Sequence, residues 1–247
     1  MKVKVVLPII SSIFNEEVNK EFEFYASADT EISVENLDFG PASIESQYDE
    51  ALAVPNFLEK AIAAEKEGYD AVICNCFGDP GVRPAREIID IPVIGPGEAA
   101  MLLATSLAHT YSIVTVLPNV VPMIKDLSKL TGLDEKLASV RYVCIPVLEV
   151  NDKERLLQGL FEQSLQAIKE DGAHSIILGC TGFLGMATDL QEKLLQNGYD
   201  VPVLDPAFAA IKMVETFVAM NLKQSRLTYM SPPSKERNLS MVIQKGD

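Results

Sequence analysis

The 247-residue sequence predicts an α/β protein built as two similar Rossmann-like (flavodoxin-like) lobes, related by a pseudo-two-fold axis, with the active site in the interlobe cleft. Three observations predict it. Short β-branched runs alternate with longer amphipathic segments, the pattern of βα units around a parallel sheet. GYDAVICNCFG, Gly68–Gly78, lines up with GAHSIILGCTG, Gly172–Gly182, at an offset of 104. IPVIGPGEAA, Ile91–Ala100, lines up with VPVLDPAFAA, Val201–Ala210, at an offset of 110. Two matching blocks in the same order mark an internal duplication.

The elements follow in chain order. Val3–Pro8 reads as a buried first strand; the acidic stretch Asn15–Phe24 behind it argues against a leader peptide. That acidic run is expected to form the exposed side of a first helix. Further strands are predicted at Glu31–Leu37, Ala71–Cys76, Pro92–Ile94, Ser112–Val116, Arg141–Val147, Ser175–Gly179 and Pro202–Leu204. Helices are predicted to begin near Ser46, Pro80, Pro96, Pro118, Asp152, Leu184 and Pro206. Several start on proline, whose missing N–H is not needed in the first turn. The expected division is residues 1–96 plus 207–222 in the first lobe, 97–206 in the second, and 223–247 as a peripheral C-terminal extension, partly disordered at its end.

Composition narrows the function. A hydrophobic share of 48% without tryptophan supports an aliphatic core. A formal charge of -14 disfavours nucleic acid, because neutralising phosphates needs clustered Lys and Arg. No apolar run reaches the roughly 20 residues of a spanning helix, so no membrane partner is expected. Four cysteines in a chain this long are no disulfide scaffold, which points to a reducing, cytoplasmic compartment.

The cysteines divide into two kinds. Cys74 and Cys144 lie inside apolar strand runs and read as packing. Structural zinc favours short paired spacings on both sides, and redox chemistry favours C-x-x-C; neither is present, so no metal is expected. Cys76 and Cys180 each end a strand and precede x-Gly at a turn into a helix. Open α/β sheets bind ligands outside the carboxyl ends of their strands, so facing lobes would set these two thiols on opposite walls of one cleft. The helix N-termini behind them supply unpaired N–H donors and partial positive charge, expected to favour thiolate. The same donors could stabilise an enolate oxygen.

A single nucleophilic cysteine needs a partnering base, and His109 and His174 read as structural or exposed. Two thiols on opposite faces suit stereoinversion: one thiolate takes the proton α to a carbonyl and the other thiol returns a proton from the far side. No cofactor is required. A small molecule held in the same cleft without turnover is the competing reading from another class.

The chain resembles the aspartate/glutamate/hydantoin racemase superfamily, and its hydantoin/allantoin branch in particular, in Gly40-Pro-Ala-Ser-Ile-Glu-Ser46, Asn75-Cys-Phe-Gly-Asp-Pro-Gly81, Ser112-Ile-Val-Thr115 and Leu178-Gly-Cys-Thr-Gly182. The resemblance implies a cofactor-independent enzyme with Cys76 and Cys180 as its acid/base pair. It also implies Ser43, Phe77, Gly78, Thr181 and Gly182 as pocket residues, a small-molecule substrate, expected to be a 5-substituted hydantoin or allantoin-like ureide, and a homo-oligomer. Aspartate/glutamate-type racemisation stays open as an alternative, although it wants more cationic pocket groups than the sequence places. Two departures concern the substrate wall. An Asn-Pro-Asn-Thr-like turn of hydantoin-type members is replaced by Leu7-Pro-Ile-Ile-Ser11, which sets Ile9 at that wall, and a second threonine after Thr115 is replaced by Val116.

Three further motifs are weighed. Asp79, three residues after Cys76, could orient a thiol or accept a substrate N–H, or serve a turn. Gly95-Pro-Gly97-Glu98 lacks a P-loop lysine and reads as a helix start. Arg83 and Arg86 read as a solvated helix face.

Overall fold

In a computed structural model, which describes residues 1–237, the chain forms two four-stranded parallel sheets. The first half runs β1 (Lys2–Leu7), α1 (Asn15–Tyr25), β2 (Glu31–Asn36), α2 (Gln47–Lys66), β3 (Ala71–Cys74), α3 (Val82–Ile88), β4 (Val93–Ile94) and α4 (Pro96–Leu107). The second half repeats it: β5 (Tyr111–Thr115), α5 (Val121–Thr131), β6 (Leu137–Tyr142), α6 (Lys153–Glu170), β7 (Ile176–Leu178), α7 (Met186–Gln196), β8 (Val203–Leu204) and α8 (Pro206–Ala219). The strand orders are β2-β1-β3-β4 and β6-β5-β7-β8, so each half places its strands in the same sequence. No described helix is long and apolar enough to cross a membrane.

The central strands β1, β3, β5 and β7 are buried almost throughout and rich in Val, Ile and Leu, as parallel strands covered on both faces must be. Val3 pairs with Ala71 and Val6 with Cys74; in the other sheet Ser112 pairs with Ile176 and Val114 with Leu178. The last helix of each half crosses over. Helix α4 lies on β5 and β7, whereas α8 packs on β3 and β4 and against α4 and α1. Several sequence features act as local start signals: Ser46 Oγ accepts the Asp49 N–H at 3.1 Å and caps α2, and Asp152 caps α6 through the Arg155 N–H.

Three expectations change. The strand predicted over Arg141–Val147 lies earlier, at Leu137–Tyr142, and Cys144 is an exposed loop residue at φ 57° rather than core. Strand β6 sits at the sheet edge and is only half-buried, so it carries a weak hydrophobic signal; the apolar run after it instead packs Ile145 beside β5. Arg86 is buried rather than solvated. Its guanidinium donates to the Val93 carbonyl at 2.9 Å, the Glu98 carboxylate at 2.6 Å and the Tyr229 hydroxyl at 3.1 Å. The segment after Asn221 lacks regular structure but is fastened down: Gln224 Nε2 donates to the carbonyls of Ile89 and Ile91, and Arg226 donates to those of Arg86 and Ile89. The end of the expected extension, from residue 238, lies outside the described residues.

Candidate active site

The two cysteine turns are built from the same hydrogen bonds. After β3 the Asp79 N–H donates to the Cys76 carbonyl at 3.0 Å, and the Val82 N–H to the Asp79 carbonyl at 3.2 Å. After β7 the Phe183 N–H donates to the Cys180 carbonyl at 3.3 Å, and the Met186 N–H to the Phe183 carbonyl at 3.0 Å. Both turns enter their helices through a left-handed glycine, Gly81 at φ 76° and Gly185 at φ 75°, a conformation that L side chains rarely adopt.

The turns meet across one cavity of about 70 Å³, lined by both Cys76 and Cys180. Thr181 Oγ1 donates to the Asn75 carbonyl at 3.1 Å and ties one turn to the other. Thr115 Oγ1 donates to the Gly179 carbonyl at 3.0 Å, holding the approach to Cys180 against β5. Of the predicted wall residues, Ile9, Phe77, Gly78, Thr115, Val116, Thr181 and Gly182 all line this cavity. Ser43 does not; its neighbour Ile44 does, because the loop turns its apolar side chain inward. Leu7, Pro8, Asn75 and Gly179 also line it, and so do Phe14, Val18, Val120, Met123, Ile124 and Val147, which were not singled out from the sequence. Most belong to the first turns of α1 and α5, the helices that follow the first strand of each half. A repeat alignment that included those turns would have found them.

The sulfur atoms are poised differently from the expected helix-terminus effect. Burial pushes the Cys180 thiol up to about 11 despite the Gly182 N–H, which reaches its Sγ at 3.3 Å. Burial raises Cys76 further, against the Gly78 N–H, and the facing Cys180 adds to the rise. Desolvation of the charged form thus outweighs the dipole and hydrogen bonds at both turns. The two turns carry no net advantage for thiolate at neutral pH; what they offer is a pair of strong bases once ionised.

Asp79 serves neither the thiol nor the cavity. It stands at φ 55°, and its carboxylate accepts the N–H groups of Gly97 and Glu98, both at 2.8 Å, across the start of α4. A Cβ on Gly95 would overlap that carboxylate, and one on Gly97 would overlap the Phe77 carbonyl. Both glycines of Gly95-Pro-Gly97 are therefore needed so that the Cys76 turn can lie directly on α4. In the other half Asp205 occupies the position of Gly95, and its own carboxylate accepts the N–H groups of Ala207 and Phe208 at 2.8 and 3.1 Å. The same carboxylate position is filled twice from different places in the sequence. Burial lifts Asp79 to about 8, with the two N–H bonds opposing.

Cys74 is fully buried and its thiol donates to the Pro80 carbonyl at 3.2 Å. His109 and His174 are exposed and lie outside the cavity lining. Among the described residues no group of three or more His, Cys, Asp or Glu side chains converges as a metal site.

Comparison with known proteins agrees with this architecture. Residues 10–214 match the Asp/Glu/Hydantoin racemase family. Hydantoin racemase of Pseudomonas sp. (strain NS671) is 37% identical over 238 residues, covering 96% of this chain and 94% of its own. The structure of allantoin racemase from Klebsiella pneumoniae superposes with a TM-score of 0.89 at 36% identity, over 97% of both chains. That of allantoin racemase from Pseudomonas fluorescens gives 0.90 at 32% identity, over 96% of this chain and all 100% of its own. With its duplicated sheets, paired cysteine turns and matches spanning nearly its whole length, this chain belongs to the Asp/Glu/hydantoin racemase family.

Proposed function

We propose that the protein is a cofactor-independent racemase that inverts the ring carbon of 5-substituted hydantoins, with Cys76 and Cys180 as its acid/base pair. The observation that carries this reading is that two equivalent thiols, each two residues beyond its strand, line one cavity, each beside a glycine N–H. One sulfur, as thiolate, takes the C5 proton; the C–H electron pair moves into the adjacent carbonyl, whose oxygen gains negative charge. Backbone N–H groups of the two turns are the donors available to that oxygen. The opposite thiol then gives its proton to the other face of C5, which restores the carbonyl and leaves the second sulfur as thiolate. Starting from the product, the roles exchange.

The wall favours apolar 5-substituents over the ureido group of allantoin. Ile9, Phe14, Val18, Ile44, Val120 and Met123 offer no hydrogen bonds to a buried polar chain. A glutamate- or aspartate-type substrate is less well served, since no Lys, Arg or His lines the cavity among the described residues.

The test is hydrogen exchange at C5 of each enantiomer of 5-benzylhydantoin in deuterated buffer, with chirality followed by polarimetry. The intact protein should exchange and racemise both. Cys76→Ser and Cys180→Ser should each abolish racemisation, with any residual exchange confined to opposite enantiomers. Exchange of both enantiomers surviving in both variants would refute the two-thiol mechanism, and no exchange by the intact protein would leave a binding module in its place.

A further inference from the structure

The polar equipment of the cavity is lopsided in one respect. Its backbone N–H groups and thiols are donors, and its two hydroxyls are engaged: Thr115 with the Gly179 carbonyl and Thr181 with the Asn75 carbonyl. One side-chain acceptor is left over. Asn75 lines the cavity immediately before Cys76, only 4% of its surface is exposed, and its Oδ1 is buried without a hydrogen-bond partner among the described residues. Leaving a buried amide oxygen unpaired is costly, so it persists where something else compensates.

The repeat sharpens the point. The position equivalent to Asn75 is Gly179, where a Cβ would stand 2.7 Å from Ile113 Cγ2 and 2.8 Å from Thr115 Cβ. No side chain fits there. The carboxamide is therefore present on the Cys76 side alone, in a cleft whose turns are otherwise duplicated. A symmetric pair of thiols needs only a carbon with an acidic hydrogen. A hydantoin ring is not symmetric about that carbon: one neighbour is a carbonyl and the other a ring N–H. An enzyme inverting it must still hold the carbonyl toward the N–H nests in both directions of turnover.

We infer that Asn75 is the specificity-determining residue that recognises the cyclic ureide, its Oδ1 accepting a ring N–H while its amide N–H can donate to the neighbouring ring carbonyl. This rests on the racemase reading and deepens it: Asn75 selects a cyclic amide over an open amino acid and fixes which way the ring lies. The Thr181 bond to its main chain keeps the residue in place beside the Cys76 turn.

The test uses three probes, 5-benzylhydantoin and its N1-methyl and N3-methyl derivatives, with C5 exchange measured for the intact protein, Asn75→Ala and the near-isosteric Asn75→Leu. Far-ultraviolet circular dichroism confirms that the variants are folded. In the intact protein, methylating the recognised nitrogen should lower kcat/KM by about tenfold or more relative to the unmethylated ring, in line with the loss of one buried pairing. In either variant the unmethylated ring should lose about tenfold to a hundredfold in kcat/KM, and the preference over the methylated ring should collapse toward one. A structural role alone would lower all three probes together. Equal rates on all three probes in the intact protein would overturn the assignment even if both variants failed to fold, as would a preference unchanged in the variants. If the intact protein exchanges none of the probes, the racemase reading itself falls and takes the role of Asn75 with it.

Discussion

Replacing Gly95 by alanine should be one of the most damaging single-methyl additions in the chain. The new Cβ would overlap the Asp79 carboxylate, which must leave the first turn of α4. Two N–H groups, of Gly97 and Glu98, then lose acceptors that now sit at 2.8 Å, and a carboxyl with 8% exposure loses both donors. At about 1–3 kcal/mol for each buried group left unpaired, with partial recovery by water, the cost is about 3–5 kcal/mol. That is a large share of the roughly 5–15 kcal/mol by which a typical domain is stable. Urea denaturation reads it directly. In an Asp79→Ala background the space is empty, so Gly95→Ala should cost no more than about 0.5 kcal/mol, and the cycle should show a coupling of about 2.5–4.5 kcal/mol. The sharper test copies the second half: Asp79→Ala with Gly95→Asp rebuilds the arrangement seen at Asp205. Stability should largely return, whereas turnover should not, because α4 is capped again but the Cys76 turn is no longer pinned to it. A double variant no more stable than Asp79→Ala, or a Gly95→Ala loss below about 1 kcal/mol, would refute the reasoning.

Three other outcomes are expected. Because burial raises both thiols, the thiolate fraction grows with pH: kcat/KM for C5 exchange should climb about tenfold per unit between about pH 7 and 9 and level off near the Cys180 value of about 11. Stability should move the other way. Glu21 and Asp79 are each lifted to about 8 by burial, so the folded state holds protons that the unfolded chain releases above its ordinary carboxylate range. Their contribution is full below about 4 and is lost as pH rises toward 8, and thermal midpoints should fall between about pH 5 and 8. Competition kinetics should rank 5-benzylhydantoin above allantoin by about tenfold to a hundredfold, the cost of burying an unpaired ureido group.

Much of this was legible in the residues because the chain states its plan twice. The offset of 104 that pairs Gly68–Gly78 with Gly172–Gly182 also pairs Gly81 with Gly185 and carries Cys76 onto Cys180. What could not be read are the places where the halves solve one problem differently. Asp79 reads in sequence equally as a partner of the thiol or substrate and as turn chemistry for its own helix, yet it caps α4, a helix that begins beyond an intervening strand; only three-dimensional proximity joins it to Gly95 and Gly97. Arg86 looked solvated because helix periodicity is blind to the tail that covers it, where Tyr229 waits more than a hundred residues later. The thiol environment failed for a reason of magnitude: helix-terminus charge was weighed without burial, and burial wins. Ser43 stands one residue from the cavity wall, which its loop meets through the apolar Ile44.

The fastened segment after Asn221 has a consequence for solubility. Strand β4 ends its sheet, and the row of carbonyls leading along its outer side, at Ile89, Ile91 and Val93, would be an open template for another chain's backbone. Gln224 occupies the first two and Arg86 the third, with Arg226 also on Ile89. Strand β8, at the matching margin of the other sheet, is guarded by Gln191, which accepts the Val203 N–H. Side chains thus close the β4 and β8 margins of the two sheets. A chain shortened at Asn221 would keep both cysteine turns but bare the first of these margins, and its failure would show as self-association before it showed as lost chemistry.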